Sequence, residues 1–399
     1  MSESLDLRFL VVEDQGFQRW LVANQLESLG AQYVFSAGDG QEALDLIQDR
    51  EPPIDIIVTD LDMPGMDGME FIRNLAERKY PAAVVLASAM EPSLLTTVKA
   101  MALAYGMTIL GSIPKPVTAK KLQALIDGYA LSPVRGELAA LPAFGLEDLA
   151  AALRAHQFEP FFQPKVDTRT QSTSGAEALV RWRHPRHGVI RPQAFIETID
   201  SSGLMDELTE LIIRAAAANC QAWRAEGLDF SVGVNLSPRC LNDTSLADRL
   251  TAIVVDEGLD PHCMTLEITE SATATDIART LENLARLRMK GFGLSIDDYG
   301  TGYSSMQRLT RIPFTELKID QSFVMNAATH DSSRAVVESS LEMAQKLGIT
   351  AVAEGVENRR DMDFVRSLGC HLAQGYYVAR PMEAAHFRTW AASHRQATA

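Results

Sequence analysis

The chain has 399 residues, 46% of them hydrophobic and 22% charged, which is length enough for two or three domains with their own cores. Its net charge of −15 argues against a DNA-binding surface, so an anionic ligand would have to meet metal ions or a placed arginine. The opening MSESLDLRFL lacks a signal peptide's basic-then-apolar pattern, no apolar run approaches a membrane span, and Cys220, Cys240, Cys263 and Cys370 form no CxxC, so a cytoplasmic protein with reduced, buried thiols and no membrane insertion is expected.

Over the first 130 residues, short β-rich apolar runs at 9–12, 54–59, 83–87 and 107–110 alternate with segments such as 17–29 and 94–105, whose apolar residues recur at helical spacing. That alternation predicts a doubly wound parallel sheet with helices on both faces. Polar residues fall at the strand ends. Glu13 and Asp14 follow the first strand, Asp60 ends the third, Ser88 follows the fourth and Lys115 lies beyond the fifth. The carboxyl ends of such strands form the ligand crevice. Three acids and a lysine there suit Mg²⁺ and a phosphoryl group.

This segment resembles the receiver domain of two-component response regulators, over about residues 6–130. The resemblance implies a flavodoxin-like fold in which Asp60 accepts a phosphoryl group from a sensor histidine kinase or phosphotransfer protein. It also implies that Glu13, Asp14 and Asp60 hold one Mg²⁺, that Ser88 and Lys115 contact the phosphoryl group, and that Lys115–Pro116 is a cis peptide. Ser112 stands where receivers often carry a switch Tyr or Phe.

Prolines and glycines place a linker at 131–146, followed by a helix-like stretch at 146–156. No helix-turn-helix pattern with a basic face is present, so DNA is not an expected partner. From residue 158 onward, strand-like runs each carry polar residues: Glu177, Asn235, Glu267 with Glu270, Asp297 with Asp298, Lys318 with Asp320, Glu354 with Glu357, and Gln374. The steps Asn235–Glu267 and Glu267–Asp297, 32 and 30 residues, are each one β-loop-helix unit. Leu281, Leu284 and Leu287 mark one helical face, and Val336, Leu341, Met343 and Leu347 another. A TIM-like (β/α)8 barrel is expected, with its functional groups at the strand ends. Six carboxylates converging with one lysine would repel one another, and Mg²⁺ or Mn²⁺ would remove that conflict.

EALVRW, VNLS, LEITE, DDYGTGYSS, LKID, AEGVE and QGYYVARP together resemble the EAL-domain phosphodiesterases, over about residues 147–393. The resemblance implies hydrolysis of cyclic di-GMP to linear pGpG with two metal ions per site, and assembly of the EAL domain into homo-oligomers. Glu177, Asn235, Glu267 and Asp297 would bind one metal; Asp297, Asp298 and Glu354 would bind or position the second. Lys318 would orient the attacking water or stabilise developing charge, and Glu354 is a second candidate for proton transfer. Arg181 would contact a substrate phosphate. Gln163, Asp320, Glu357 and Gln374 are expected at the substrate or behind the metal ligands, and Glu270 would anchor the loop after Asp298. Tyr299 replaces the family's usual Phe. Two adjacent acids reach one site only if the backbone leaves strand geometry, which Gly300 and Gly302 would permit. Phosphorylation of Asp60 is expected to regulate the barrel. Two alternatives are a receptor that binds cyclic di-GMP without cutting it and a phosphorylation-gated docking scaffold.

Overall fold

A computed structural model describes residues 5–48, 50–90, 92–131, 144–269, 277–300 and 311–394. The chain divides into two compact units, Met1–Ala140 and Leu141–Ala399. Glu270 and Gly302 lie outside the described residues.

The first unit is a five-stranded parallel sheet. Its strands are β1 (Leu5–Val12), β2 (Ala31–Ala37), β3 (Ile56–Thr59), β4 (Ala83–Ser88) and β5 (Thr108–Pro114), in the order β2-β1-β3-β4-β5. β1 shows why both faces are covered. Leu10 and Val12 enter one apolar cluster, and Phe9 and Val11 enter another on the opposite face. Alternate residues of a strand point to opposite sides, so a continuous apolar run signals two packed layers. The helices Gly16–Ser28 and Pro92–Ala104 match their predicted spans within two residues. The four apolar runs did not mark β2. It is an edge strand, and Gln32 and Tyr33 in its middle are exposed. β5 also runs past the predicted 107–110 to Pro114.

The second unit is a closed barrel. Its strands are β6 (Phe158–Asp167), β7 (Thr173–His184), β9 (Ser231–Asn235), β10 (Met264–Thr269), β11 (Gly293–Tyr299), β12 (Glu316–Ile319), β13 (Thr350–Ala353) and β14 (Leu372–Ala373). A short β8 (Gly188–Ile190) pairs outside the ring with β7. The barrel departs from the all-parallel arrangement, because β6 runs antiparallel to both of its neighbours, β7 and β14. The cause is local. A tight turn joins β6 to β7, and the Asp167 carboxylate caps it by accepting the N–H groups of Arg169 and Thr170 at 2.9 and 2.7 Å. A hairpin of that length reverses the chain, whereas a helical crossover would keep it parallel.

One helical face needs correction in part. Helix Asp331–Leu347 buries Val337, Ser340 and Ala344, with Leu341 and Met343 half-buried against the same apolar cluster, while Leu347 is exposed. The other marked face holds, since Leu284 and Leu287 of helix Ile277–Met289 are buried. All four cysteines are free and buried, and burial pushes the thiols of Cys220, Cys240 and Cys370 up to about 12. No described helix is long and apolar enough to cross a membrane.

Candidate active site

Strand register brings the acids of the barrel together. Glu177 on β7 lies beside Gln163 of β6 and Gly233 of β9. Glu267 on β10 lies between Asn235 of β9 and Ser295 of β11. On β11, Ile296 pairs with Leu317 and Tyr299 with Ile319, so one extra residue is accommodated at Asp297–Asp298. Asp298 itself takes up the bend, with φ +54°, and Gly300 follows at φ +103°. The departure from strand geometry therefore begins on the acid, two residues earlier than glycine placement suggested. Aspartate is among the few non-glycine residues that tolerate this region. The Tyr299 hydroxyl meets the Met343 sulfur at 3.4 Å.

Lys318, buried at 1% exposure, sits at the centre of the acids. Its Nζ lies 2.6 Å from Glu267 Oε2, 2.8 Å from Glu354 Oε1, 2.9 Å from Asp297 Oδ1 and 3.3 Å from Glu177 Oε2. An ammonium has three protons and cannot serve four carboxylates at once. Asp297 Oδ1, at ion-pair distance, is left without a hydrogen bond although it is buried. Asp297, Asp298 and Glu354 each offer a carboxylate oxygen within 4.8 Å of one another. Burial, opposed by Lys318 and reinforced by Asp297 and Glu177, pushes the Glu354 carboxyl up to about 8. Burial and then Asp297 push Asp298 up to about 6. An excess of carboxylate, an orphaned buried oxygen and an all-oxygen donor set fit a hard divalent cation.

The amides hold the acids in place. Asn235 Nδ2 donates to Glu177 Oε1 at 2.8 Å. Gln374 Nε2 donates to the other oxygen of Glu177 at 2.7 Å and to Gln163 Oε1 at 3.2 Å, and Gln163 Nε2 donates to the Ala379 carbonyl at 3.2 Å. The half-buried Arg181 lies with its Cζ 5.8 Å from the centre of the Phe161 ring and donates to the Val180 carbonyl. Asp320 accepts the Ser322 N–H at 2.9 Å and the Ser322 hydroxyl, capping helix Gln321–Ala327, and its charge also bears on Asp298. Glu357 is exposed, and its N–H donates to Asp361 Oδ2.

Sequence reasoning missed Lys165. It is 3% exposed on β6 and donates to Glu267 Oε1 at 2.8 Å and Glu316 Oε1 at 2.7 Å. Burial acts to raise the Glu267 carboxyl, but Lys165 and Lys318 outweigh it and hold it at about 2. The available signal was alternation, because Lys165 lies two residues beyond Gln163 and shares its face of the strand.

The first unit carries a second cluster. Carboxylate oxygens of Glu13, Asp14 and Asp60 lie within 4.8 Å of one another. Lys115 Nζ lies 2.5 Å from Asp60 Oδ2 and 2.7 Å from Glu13 Oε2. Asp60 Oδ1 accepts the Leu61 N–H at 2.7 Å, and Asp14 Oδ1 is buried without a hydrogen bond, again an oxygen set that fits one divalent cation. Burial is the main force raising the Glu13 carboxyl, against the pull of Lys115. Ser88 is buried, and its Oγ accepts the Met90 N–H at 3.1 Å. Lys115–Pro116 is cis, and Ser112 is exposed.

Comparison with known proteins assigns a family to each unit. A family model of the EAL domain matches residues 146–381, and one of the response regulator receiver domain matches residues 9–127. The cyclic di-GMP phosphodiesterase RocR of Pseudomonas aeruginosa is 35% identical over 386 residues, which cover 96% of this chain and 98% of RocR. The solved structure of the PaMucR phosphodiesterase in complex with c-di-GMP is 36% identical, with TM-score 0.58, over 61% of this chain and 98% of that one. The EAL enzyme Bd1971, solved with cAMP and cyclic di-GMP bound, is 30% identical with TM-score 0.59, over 68% of this chain and 73% of that one. Two units, two acid clusters and end-to-end similarity to RocR lead to one conclusion: the chain belongs to the EAL domain family and carries a response regulator receiver domain ahead of its EAL barrel.

Proposed function

We propose that this response regulator hydrolyses cyclic di-GMP to linear pGpG in a metal-dependent reaction, and that phosphorylation of Asp60 sets the rate. The observation that carries the reading is the convergence of Glu177, Glu267, Asp297 and Glu354 within 3.3 Å of Lys318 Nζ. The similarity to RocR along nearly its whole length supports the same activity.

Hydrolysis consumes one water. A phosphorus–oxygen bond forms to the water, the bond from phosphorus to a 3′ oxygen breaks, and that oxygen leaves as a hydroxyl. Mg²⁺ or Mn²⁺ held by Glu177, Asn235, Glu267, Asp297, Asp298 and Glu354 would polarise the phosphoryl oxygens and lower the pKa of the attacking water. Lys318 would neutralise charge developing at phosphorus. Glu354 reaches 16% side-chain exposure at the edge of the cluster, and there its carboxylate would accept the water's proton. Gln163, Gln374 and Asn235 fix the orientation of Glu177 through the hydrogen bonds given above. Arg181 would hold a substrate phosphate.

In the receiver, Asp60 would attack the donor phosphoryl group, with Lys115 and Ser88 stabilising its oxygens and Glu13, Asp14 and Asp60 holding one Mg²⁺. The donor would be a histidine kinase or phosphotransfer protein. The test is chromatographic: purified protein with Mg²⁺ or Mn²⁺ converts cyclic di-GMP to pGpG, and chelator or Glu177→Ala abolishes the conversion. Binding of the dinucleotide without product would defeat the proposal.

A further inference from the structure

The chain carries a net charge of −15, and the substrate proposed for it holds two phosphodiesters. The one that is cut would lie among the barrel acids and their metal ions. The other must find positive charge nearby, or the field of the protein repels it.

β7 runs past the rim of the barrel. Its pairing with β9 stops at Ala178–Val234, whereas β7 continues to His184. Arg181 lies four residues beyond Glu177, on the same face of the strand and about 13 Å further along it. It is flanked on both sides. On β6 it stands opposite Glu159, but that carboxylate turns to Arg183, 2.6 Å away. On the other side β8 pairs Ile190 with Trp182, and Arg191, whose backbone is still extended, is next in that register, opposite Arg181. Trp182 and Ile190 are buried on the reverse face, so both arginines lie on the face that carries Glu177.

Like charges directly opposed across a strand pair repel each other. Among the described residues no carboxylate lies at ion-pair distance from Arg181, which is half-buried over the Phe161 ring. Burial and then Arg191 hold its guanidinium below the usual range, against the pull of Tyr376 and Glu177. An anion seated between the two arginines would turn their repulsion into charge-assisted hydrogen bonds from both.

We infer that Arg191 is a substrate-binding residue that shares with Arg181 the phosphodiester that is not cleaved. Arg191 lies outside the EALVRW motif and every other motif through which the chain resembles its family. The inference rests on the cyclic di-GMP reading of the barrel.

Steady-state kinetics of the full chain with Mn²⁺ and cyclic di-GMP test it. Arg191→Ala should raise KM about tenfold and change kcat less than about twofold, as expected of a contact made equally with substrate and transition state. Arg191→Lys should recover part of the loss, because the charge remains although the fork does not. KM should also rise less steeply with salt in Arg191→Ala than in the wild type, which a merely structural role would not change. Arg181→Ala should raise KM as well, and the double variant should lose less than the product of the two singles, since both grip one phosphate. An unchanged KM for Arg191→Ala overturns the inference. So does a raised KM with the wild-type salt dependence, which would assign Arg191 to shaping the turn Pro192–Ala194 that follows it. Losses that simply multiply overturn the shared grip. If Arg191→Ala does not fold, Arg191→Gln carries the same comparisons. A wild type that forms no pGpG defeats the hydrolytic reading, and the calorimetric affinities of wild type and Arg191→Ala for intact cyclic di-GMP then decide the inference: a weaker variant supports it and equal affinities overturn it.

Discussion

At the scale of single residues, the barrel site is set by charge balance and room. Gly233 leaves space for the Glu267 carboxylate, and a Cβ there would stand 2.0 Å from its oxygen. Gly233→Ala should therefore shift Glu267, lower kcat at least tenfold and cost about 1–3 kcal/mol of stability, read by steady-state kinetics and denaturant unfolding. Unchanged kcat would show that Glu267 is not held where the site needs it. Titration gives a second prediction. Without metal, Glu354 is pushed up to about 8 and Asp298 up to about 6, so near neutral pH the site retains protons that a cation must expel. Metal affinity should rise as pH increases from 6 to 8, with about one proton released at pH 7, measured as dependence of the binding enthalpy on buffer ionisation. A buffer-independent enthalpy would contradict it. Before metal binds, the sign for stability is the reverse: the folded state holds more protons than the unfolded chain, so the metal-free protein loses stability as pH rises through that window.

At the scale of elements, much of the architecture was legible because chemistry and periodicity coincide. Acids recur at the ends of apolar runs, one β-loop-helix unit apart, and the structure gathers Glu177, Glu267, Asp297 and Glu354 around Lys318. What escaped was decided by partners distant in sequence or by turn geometry. Lys165 reads as a polar interruption in FFQPKVD, since its anions are 102 and 151 residues away. The reversal of β6 depends on a five-residue turn whose polar sequence resembles any surface loop. β2 has an edge strand's weak apolar signal, and the buried side of helix Asp331–Leu347 includes a serine and an alanine that hydrophobicity does not mark. The bend was expected at the glycines that follow β11, but it starts within the strand at Asp298, φ +54°. That conformation separates two variants. Asp298→Asn should keep the melting temperature while reducing turnover, since asparagine tolerates the same backbone. Asp298→Ile should also destabilise by about 1–2 kcal/mol, read by thermal or denaturant unfolding. Equal stability of the two would show that the bend relaxes.

At the scale of the whole molecule, an acid cluster on a parallel sheet and an acid cluster in a barrel lie on one chain, and each has its own lysine. If the first controls the second, a small-molecule phosphodonor should change the turnover of the wild type and leave Asp60→Asn unaffected. Equal responses would detach the receiver from catalysis. The central claim is that water cleaves a phosphodiester in the barrel. It is tested most directly by a turnover of cyclic di-GMP with the full chain and Mn²⁺ in ¹⁸O-labelled water, read by mass spectrometry. The account predicts pGpG with a single ¹⁸O in its terminal phosphate. Recovery of intact cyclic dinucleotide, or product with no label on phosphorus, would contradict it.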